Sequence, residues 1–204
     1  PADGSQIWSD VYERKLEDIF AIQEEIARTV AQALRLTLAT GAVGGTRNFA
    51  AYDEFLAGRA ALNSNFVART EAVSRLGKAV ALDPEFVTAW LWLIDAYVRQ
   101  GVVGSVTRDE VVRLQDEAID KVVSLAPDSP EASFALSYRA ARENDLSELE
   151  RLLREATALT GSQGVRARFR YGQFLSSVGR QRDAISAFEG VNREEPLDVF
   201  MRTN

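Results

Sequence analysis

The chain has 204 residues, a formal net charge of −6, and neither cysteine nor histidine. Zinc sites of the usual Cys/His kind, cysteine nucleophiles and serine triads that need an imidazole base are therefore excluded. The acidic balance argues against a nucleic-acid groove, which needs clustered positive charge. No apolar run approaches the roughly 20 residues of a membrane span. We expect no cofactor, no metal site, no nucleic-acid partner and no membrane insertion.

The front of the chain predicts a short strand, a long helix and a hinge. Residues 1–11 include a stretch with strand character, and residues 12–40 form an amphipathic helix whose apolar side chains recur at steps of three and four. The glycine-rich residues 41–48 are typical of a flexible hinge. The first residue is Pro1 rather than Met, and we expect a fragment of a longer protein.

After residue 48 the chain repeats itself. Residues 79–84, 122–127 and 191–196 each end a helical segment on Pro, and residues 156–161 end one on Gly. Helix starts are marked by cap residues at Thr107, Ser129 and Asp145. The predicted helix pairs are 49–63 with 67–82, 86–100 with 108–125, 130–143 with 146–160, and 164–178 with 181–193. A further helix is expected to begin at Phe200.

These segments resemble the tetratricopeptide repeat, a helix-turn-helix unit of about 34 residues. The fourth unit carries the resemblance best, through Tyr171, Gly172, Leu175, Gly179, Ala184, Phe188 and Pro196. The second departs from it, with Gln115 where a small Ala is usual, and the third lacks the usual aromatics. The resemblance implies an all-α, right-handed superhelical solenoid with the long N-terminal helix as a cap; a generic helical bundle is the alternative.

The front end carries a second resemblance. Residues 4–14 and 16–27 resemble the closing strand and helix of a TolB-like amino-terminal domain, which precedes tetratricopeptide repeats in many bacterial signalling proteins. An adenylate or guanylate cyclase domain, or a winged-helix domain, often stands ahead of it. The resemblance implies that residues 1–11 are a remnant strand and that 49–204 hold four helix pairs and the start of a fifth. A capping helix of no special origin is the alternative. A cyclase arrangement implies a cytoplasmic location, and a membrane-anchored winged-helix arrangement implies a periplasmic one.

In the family that these repeats resemble, the first helix of each pair lines a concave groove. The candidate groove residues are Leu91, Asp95, Val98, Arg99, Phe134, Tyr138, Ala141, Arg142, Arg166, Phe169, Arg170, Gln173 and Ser176. Aromatic and Arg side chains are enriched at interface hot spots, and we expect Phe134, Tyr138, Phe169, Arg142 and Arg170 to form one continuous patch. A core role for the aromatics is the alternative.

The predicted function is a protein-interaction scaffold that binds a peptide or protein segment and catalyses nothing. The rival is a spacer or dimerisation arm without an external ligand, and a homodimer is compatible with either. Trp90 and Tyr97 occupy large-residue positions of the repeat and should be mostly buried. Gly172 should lie mid-helix against a neighbouring helix, and Gly179 should end that helix with a positive φ.

Overall fold

The computed structural model describes residues 45–62, 66–101 and 107–194. These residues form eight helices, and no strand occurs among them. The predicted strand, the long helix at 12–40 and the helix from Phe200 lie outside the described residues, as do residues 41–44 of the hinge. The chain divides into two units, Pro1–Phe49 and Ala50–Asn204, and only residues 45–49 of the first are described.

The eight helices follow one another along the described part of the chain as four consecutive pairs. Their bounds are α1 Phe49–Leu62, α2 Phe66–Leu82, α3 Val87–Gly101, α4 Arg108–Leu125, α5 Pro130–Glu143, α6 Leu146–Ala156, α7 Gly161–Ser177 and α8 Gln181–Glu194. Six of them agree with the predicted bounds within one residue at each end. The α6 helix ends four residues early, because the N–H groups of residues 157–159 each donate to the carbonyl three residues back, which tightens the last turn. The α7 helix begins three residues earlier than predicted.

The predicted cap residues begin their helices as expected. The Thr107 hydroxyl accepts a hydrogen bond from the Glu110 N–H at 3.3 Å. The Ser129 hydroxyl accepts one from the Ala132 N–H at 3.1 Å. Asp145 accepts one from the third N–H of α6 at 3.0 Å. Each side chain satisfies a backbone donor that has no partner within the helix.

The α3 helix is enclosed by neighbouring helices and has no solvent-exposed face over most of its length. Six consecutive residues, 91–96, are buried. The α2, α4 and α5 helices all pack against α3. A helix enclosed in this way loses the apolar stripe from which its orientation is usually read.

Trp90 and Tyr97 were predicted to be mostly buried between helices, and the structure places both between helices with a minor part of each side chain exposed. Both pack between two apolar clusters, and the Trp90 indole N–H donates to the Pro84 carbonyl at 3.0 Å. The deeply buried aromatic of this helix is Trp92, which is 5% exposed. The repeat pattern thus located the right helix and missed its most buried ring.

Both glycine predictions for the fourth pair are confirmed. Gly172 is buried inside α7, and a Cβ there would lie 2.6 Å from the Phe188 ring of α8, so any side chain would push the helices apart. Gly179 follows α7 with a φ of +82°. Gly58 in α1 plays the same part as Gly172, since its Cβ would lie 2.7 Å from the Leu76 side chain of α2.

Candidate protein-interaction face

The α3, α5 and α7 helices meet around a buried carboxylate. Asp95 of α3 forms an ion pair with Arg99 at 2.9 Å and another with Arg166 of α7 at 3.6 Å. The Tyr138 hydroxyl of α5 donates to the same carboxylate at 3.4 Å. We call Asp95, Arg99, Tyr138 and Arg166 the Asp95 cluster. Burial raises the pKa of Asp95, but the charges of Arg166, Arg99 and Arg170 outweigh burial, so that pKa lies below its ordinary value.

Arg166 connects three helix pairs through its guanidinium group. That group donates to the Gln163 side-chain oxygen at 2.7 Å and to the Tyr138 hydroxyl at 3.3 Å. It also lies 4.0 Å from the centre of the Trp92 ring, a cation–π contact. Only 11% of the Arg166 side chain is exposed. Arg166 is therefore a structural cross-link between the second, third and fourth pairs.

Arg142 of α5 is also engaged within the chain. Its guanidinium donates to the Gln115 side-chain oxygen at 2.7 Å and to both Asp116 oxygens at 2.7 and 2.9 Å. Burial raises the pKa of Asp116, but hydrogen bonds from Arg142 and Arg139 outweigh it and lower that pKa. The large Gln115, which departs from the repeat pattern, is buried and helps to hold this arginine in place.

A cleft of about 440 Å³ opens beside these contacts, and four helices contribute to its walls. The lining residues are Val98 of α3, Arg108, Val111, Val112 and Gln115 of α4, Tyr138, Ala141 and Arg142 of α5, and Arg170 of α7. None of them is acidic. The cleft is therefore locally basic in a chain whose net charge is −6, and its volume falls within the range of about 300–1,000 Å³ typical of ligand pockets.

Arg170 differs from the other arginines of this face. Its guanidinium carbon lies 3.8 Å from the centre of the Tyr138 ring, in a cation–π contact. Its Nε atom is buried and has no hydrogen-bond partner among the described residues. A buried donor without a partner is uncommon and calls for an explanation.

The thirteen residues predicted to line the groove fall into several environments. Leu91 and Phe134 are fully buried in the core, so the prediction that they face the groove is wrong. Enclosure of α3 explains Leu91, and Phe134 packs edge-on against Tyr138 with ring centres 5.6 Å apart. Asp95 is buried in its ion pairs.

The continuous patch predicted across two repeats is also wrong. Phe169 is half-buried and packs on Phe188 of α8, with ring centres 5.6 Å apart, because it turns toward the second helix of its own pair. Gln173 is exposed. The cleft brings together Tyr138, Arg142 and Arg170, and of these Tyr138 is only 3% exposed.

Sequence reasoning missed the contribution of α4, the second helix of its pair. Arg108, Val111 and Val112 line the cleft, although the family resemblance directs attention to first helices only. The one available signal was Gln115, a polar residue where a small one is usual. A polar residue at a packed position needs a hydrogen-bond partner, and in the structure that partner is Arg142.

No protein-family model matches this chain. Among solved structures, the chain is similar to a thermophilic TPR protein of Thermus thermophilus, with 17% sequence identity and a TM-score of 0.54. The match covers 73% of this chain and 76% of that one. This chain has the tetratricopeptide helical-repeat fold. At this identity the similarity concerns the tetratricopeptide fold alone.

A curated relative is similar over part of its length. The putative adenylate cyclase 3 of Rhizobium meliloti (strain 1021) is 36% identical over 92 residues. These residues are 42% of this chain and 16% of the relative. The similarity thus spans a small part of that protein. Within the part of the chain that the structure describes, no helix is long and apolar enough to cross a membrane.

Proposed function

We propose that this chain is a protein-interaction module of a larger bacterial signalling or regulatory protein. It binds an extended segment of a partner protein in the cleft between α3, α4, α5 and α7. The tetratricopeptide fold supports this proposal, because stacked helix pairs expose an extended surface suited to protein segments. The observation that carries it is the cleft itself, which combines a basic lining with apolar side chains.

The similarity to a putative adenylate cyclase supports a place in cyclase-related signalling. In this proposal the chain regulates or locates such an enzyme and performs no chemistry itself. A cytoplasmic location follows from the cyclase arrangement that the sequence resemblance implies. The TolB-like origin of residues 1–40 belongs to the same proposal.

A selection from a displayed library of random 12-residue peptides tests the interaction. Peptides enriched on the wild-type chain are synthesised, and their affinities are measured by fluorescence anisotropy. The blocking variant is Val98→Glu, which places a bulky charge at a cleft residue that is 39% exposed. The matched control is Ile185→Glu on α8, at a position that is 58% exposed and outside the cleft lining.

We expect Val98→Glu to weaken binding at least about tenfold and Ile185→Glu to leave it unchanged, with both variants folded by circular dichroism. A wild-type chain that enriches no peptide contradicts the proposal. Equal weakening by the two variants contradicts it as well, since binding would then not depend on the cleft.

A spacer or dimerisation arm is the second candidate, and the internal pairing of Arg99, Arg142 and Arg166 favours it. Three arginines expected to meet a partner instead pair within the chain: Arg142 and Arg166 with carboxylates of other helices, and Arg99 with Asp95 of its own helix. This candidate leaves Arg170 and the basic cleft unexplained. Sedimentation equilibrium distinguishes it, because a dimerisation arm gives a concentration-dependent mass that Val98→Glu leaves unchanged.

A further inference from the structure

Resting on the proposed function, we infer that Arg170 binds the side-chain carboxylate of an Asp or Glu in the partner segment. A neighbouring aliphatic side chain of that segment packs against the valines of the cleft. The Arg170 site thus recognises two residues of the partner segment, one acidic and one aliphatic.

The argument begins with the other arginines of this face, whose guanidinium groups are already engaged. Arg99 and Arg166 share the Asp95 carboxylate. Arg142 donates from one nitrogen to both Asp116 oxygens. For Arg170, by contrast, the described residues provide no hydrogen bond and no ion pair, and its Nε atom is buried without a partner.

No anion in the described part of the chain is left over for Arg170. Asp95 is the nearby carboxylate whose charge Arg170 feels, and Arg99 and Arg166 already hold it. Burial and the Asp95 charge raise the pKa of Tyr138 above its ordinary value. The phenol is therefore neutral at pH 7 and offers Arg170 a ring face rather than a negative charge.

The position of Arg170 favours an incoming carboxylate. Stacking on Tyr138 holds the guanidinium at the cleft wall, so little side-chain freedom remains to be lost on binding. Charge-assisted hydrogen bonds to carboxylates are among the strongest that proteins form. Arg108, an exposed cleft residue, adds positive charge and steers acidic segments toward the site.

The apolar part of the cleft specifies the second half of the pattern. Val98, Val111, Val112 and Ala141 contribute short aliphatic side chains to the lining. Val98 is 39% exposed, so an aliphatic neighbour of the bound acid would remove apolar surface from water. A segment that is acidic throughout would leave these valines uncovered.

The test is a matched comparison of peptides and variants. From the enriched library, one acidic–aliphatic peptide is made with an amidated C-terminus, together with a copy in which the acidic residue is replaced by its amide. Both are measured on the wild-type chain, on Arg170→Gln, and on the control Arg182→Gln, which changes an exposed arginine of α8. Amidation removes the C-terminal carboxylate of the peptide. The carboxylate that the comparison tests is then that of the acidic side chain.

We expect the amide copy to bind the wild type at least about tenfold more weakly than the acidic peptide. On Arg170→Gln the two peptides should bind equally, and on Arg182→Gln the difference should match wild type. Equal binding of both peptides to the wild type overturns the inference, and that measurement does not depend on how any variant folds. A tenfold difference in affinity between the two peptides that persists on Arg170→Gln also overturns it, because another group would then bind the acidic side chain.

The two proposals fail separately. If peptides bind in the cleft and Val98→Glu removes them while the amide copy binds as well as the acid, the interaction module stands and the role of Arg170 falls. If no peptide is enriched on the wild type, the proposed function itself fails, and the inference about Arg170 with it.

Discussion

Arginines on two sides of the same helix pairs have opposite surroundings. On the second helices, Arg151 of α6 pairs with Glu148 and Glu155 of its own helix, and its side chain is 52% exposed. Arg113 of α4 makes the same kind of contacts with neighbours three and four residues away. On the α3–α5–α7 face, Arg166 is 11% exposed and pairs with another helix.

This difference separates charges that keep a helix solvated from charges that hold helices together. Exposed pairs within one helix gain little, because water and salt screen them. A buried pair between helices costs much desolvation, and removing one partner leaves a charge that nothing compensates. The stability of the packed helices therefore depends on few of the chain's many arginines.

The largest expected effect is at Asp95. Asp95→Ala should lower the free energy of unfolding by about 3–5 kcal/mol, because Arg99 and Arg166 would lose the carboxylate that they share in a buried site. Urea unfolding followed by circular dichroism measures it, with Glu148→Ala on the exposed side as the control. A loss at Asp95 no larger than that at Glu148 would remove the distinction between the two sides.

Acid should reveal the same distinction with a smaller effect. The pKa of Asp95 is lowered in the folded chain, so its contribution is complete above the ordinary Asp value of about 3.9 and is lost as pH falls through the lower folded value. We expect the free energy of unfolding to fall between about pH 4 and pH 2. Asp95→Asn, already less stable at pH 7, should lose less over that range, while Glu148→Gln should follow the wild-type curve. If the free energy of unfolding of Asp95→Asn and that of wild type fell in parallel with pH, Asp95 would not be the source of the acid sensitivity.

The smallest effect is expected at Arg151. The hydrogen bonds that Arg151 donates to Glu148 and Glu155 raise its pKa above the ordinary value, yet the group is solvent-exposed. Arg151→Ala should shift the thermal midpoint by no more than the error of measurement, at low and at high salt. A clear shift that vanishes in high salt would show that the exposed pairs contribute more than this comparison allows.

Local signals in the sequence were enough to predict most helix bounds. Ser129 with Pro130, Asp145 and Thr107 each mark a helix start by satisfying backbone donors, and such capping depends on residues three positions apart. The roles of Gly172 and Gly179 could also be predicted. A close approach of two helices requires glycine at Gly172, and a positive φ favours glycine at Gly179. Bounds failed at the α6–α7 turn, where no proline marks the end.

The binding face was much harder to predict, for reasons that lie beyond local sequence. Periodicity assigns a face only to a helix with one buried side, and α3 is buried on all sides at residues 91–96. Arg166 reaches a residue 71 positions earlier in the chain, Asp95, and no repeat pattern specifies that contact. The role of α4 in the cleft was missed because family resemblance favours first helices.

The reach of Arg166 also bears on how the repeats unfold. In an array where each repeat touches only its neighbours, stability is a sum of repeat and nearest-neighbour terms, and the ends can fray one unit at a time. Arg166 of the fourth pair contacts Asp95 and Trp92 of the second, which adds a coupling that skips a unit. Fraying of the fourth pair therefore takes one of its two arginines from the buried Asp95 carboxylate two units away, so we expect the second, third and fourth pairs to open together as one cooperative block.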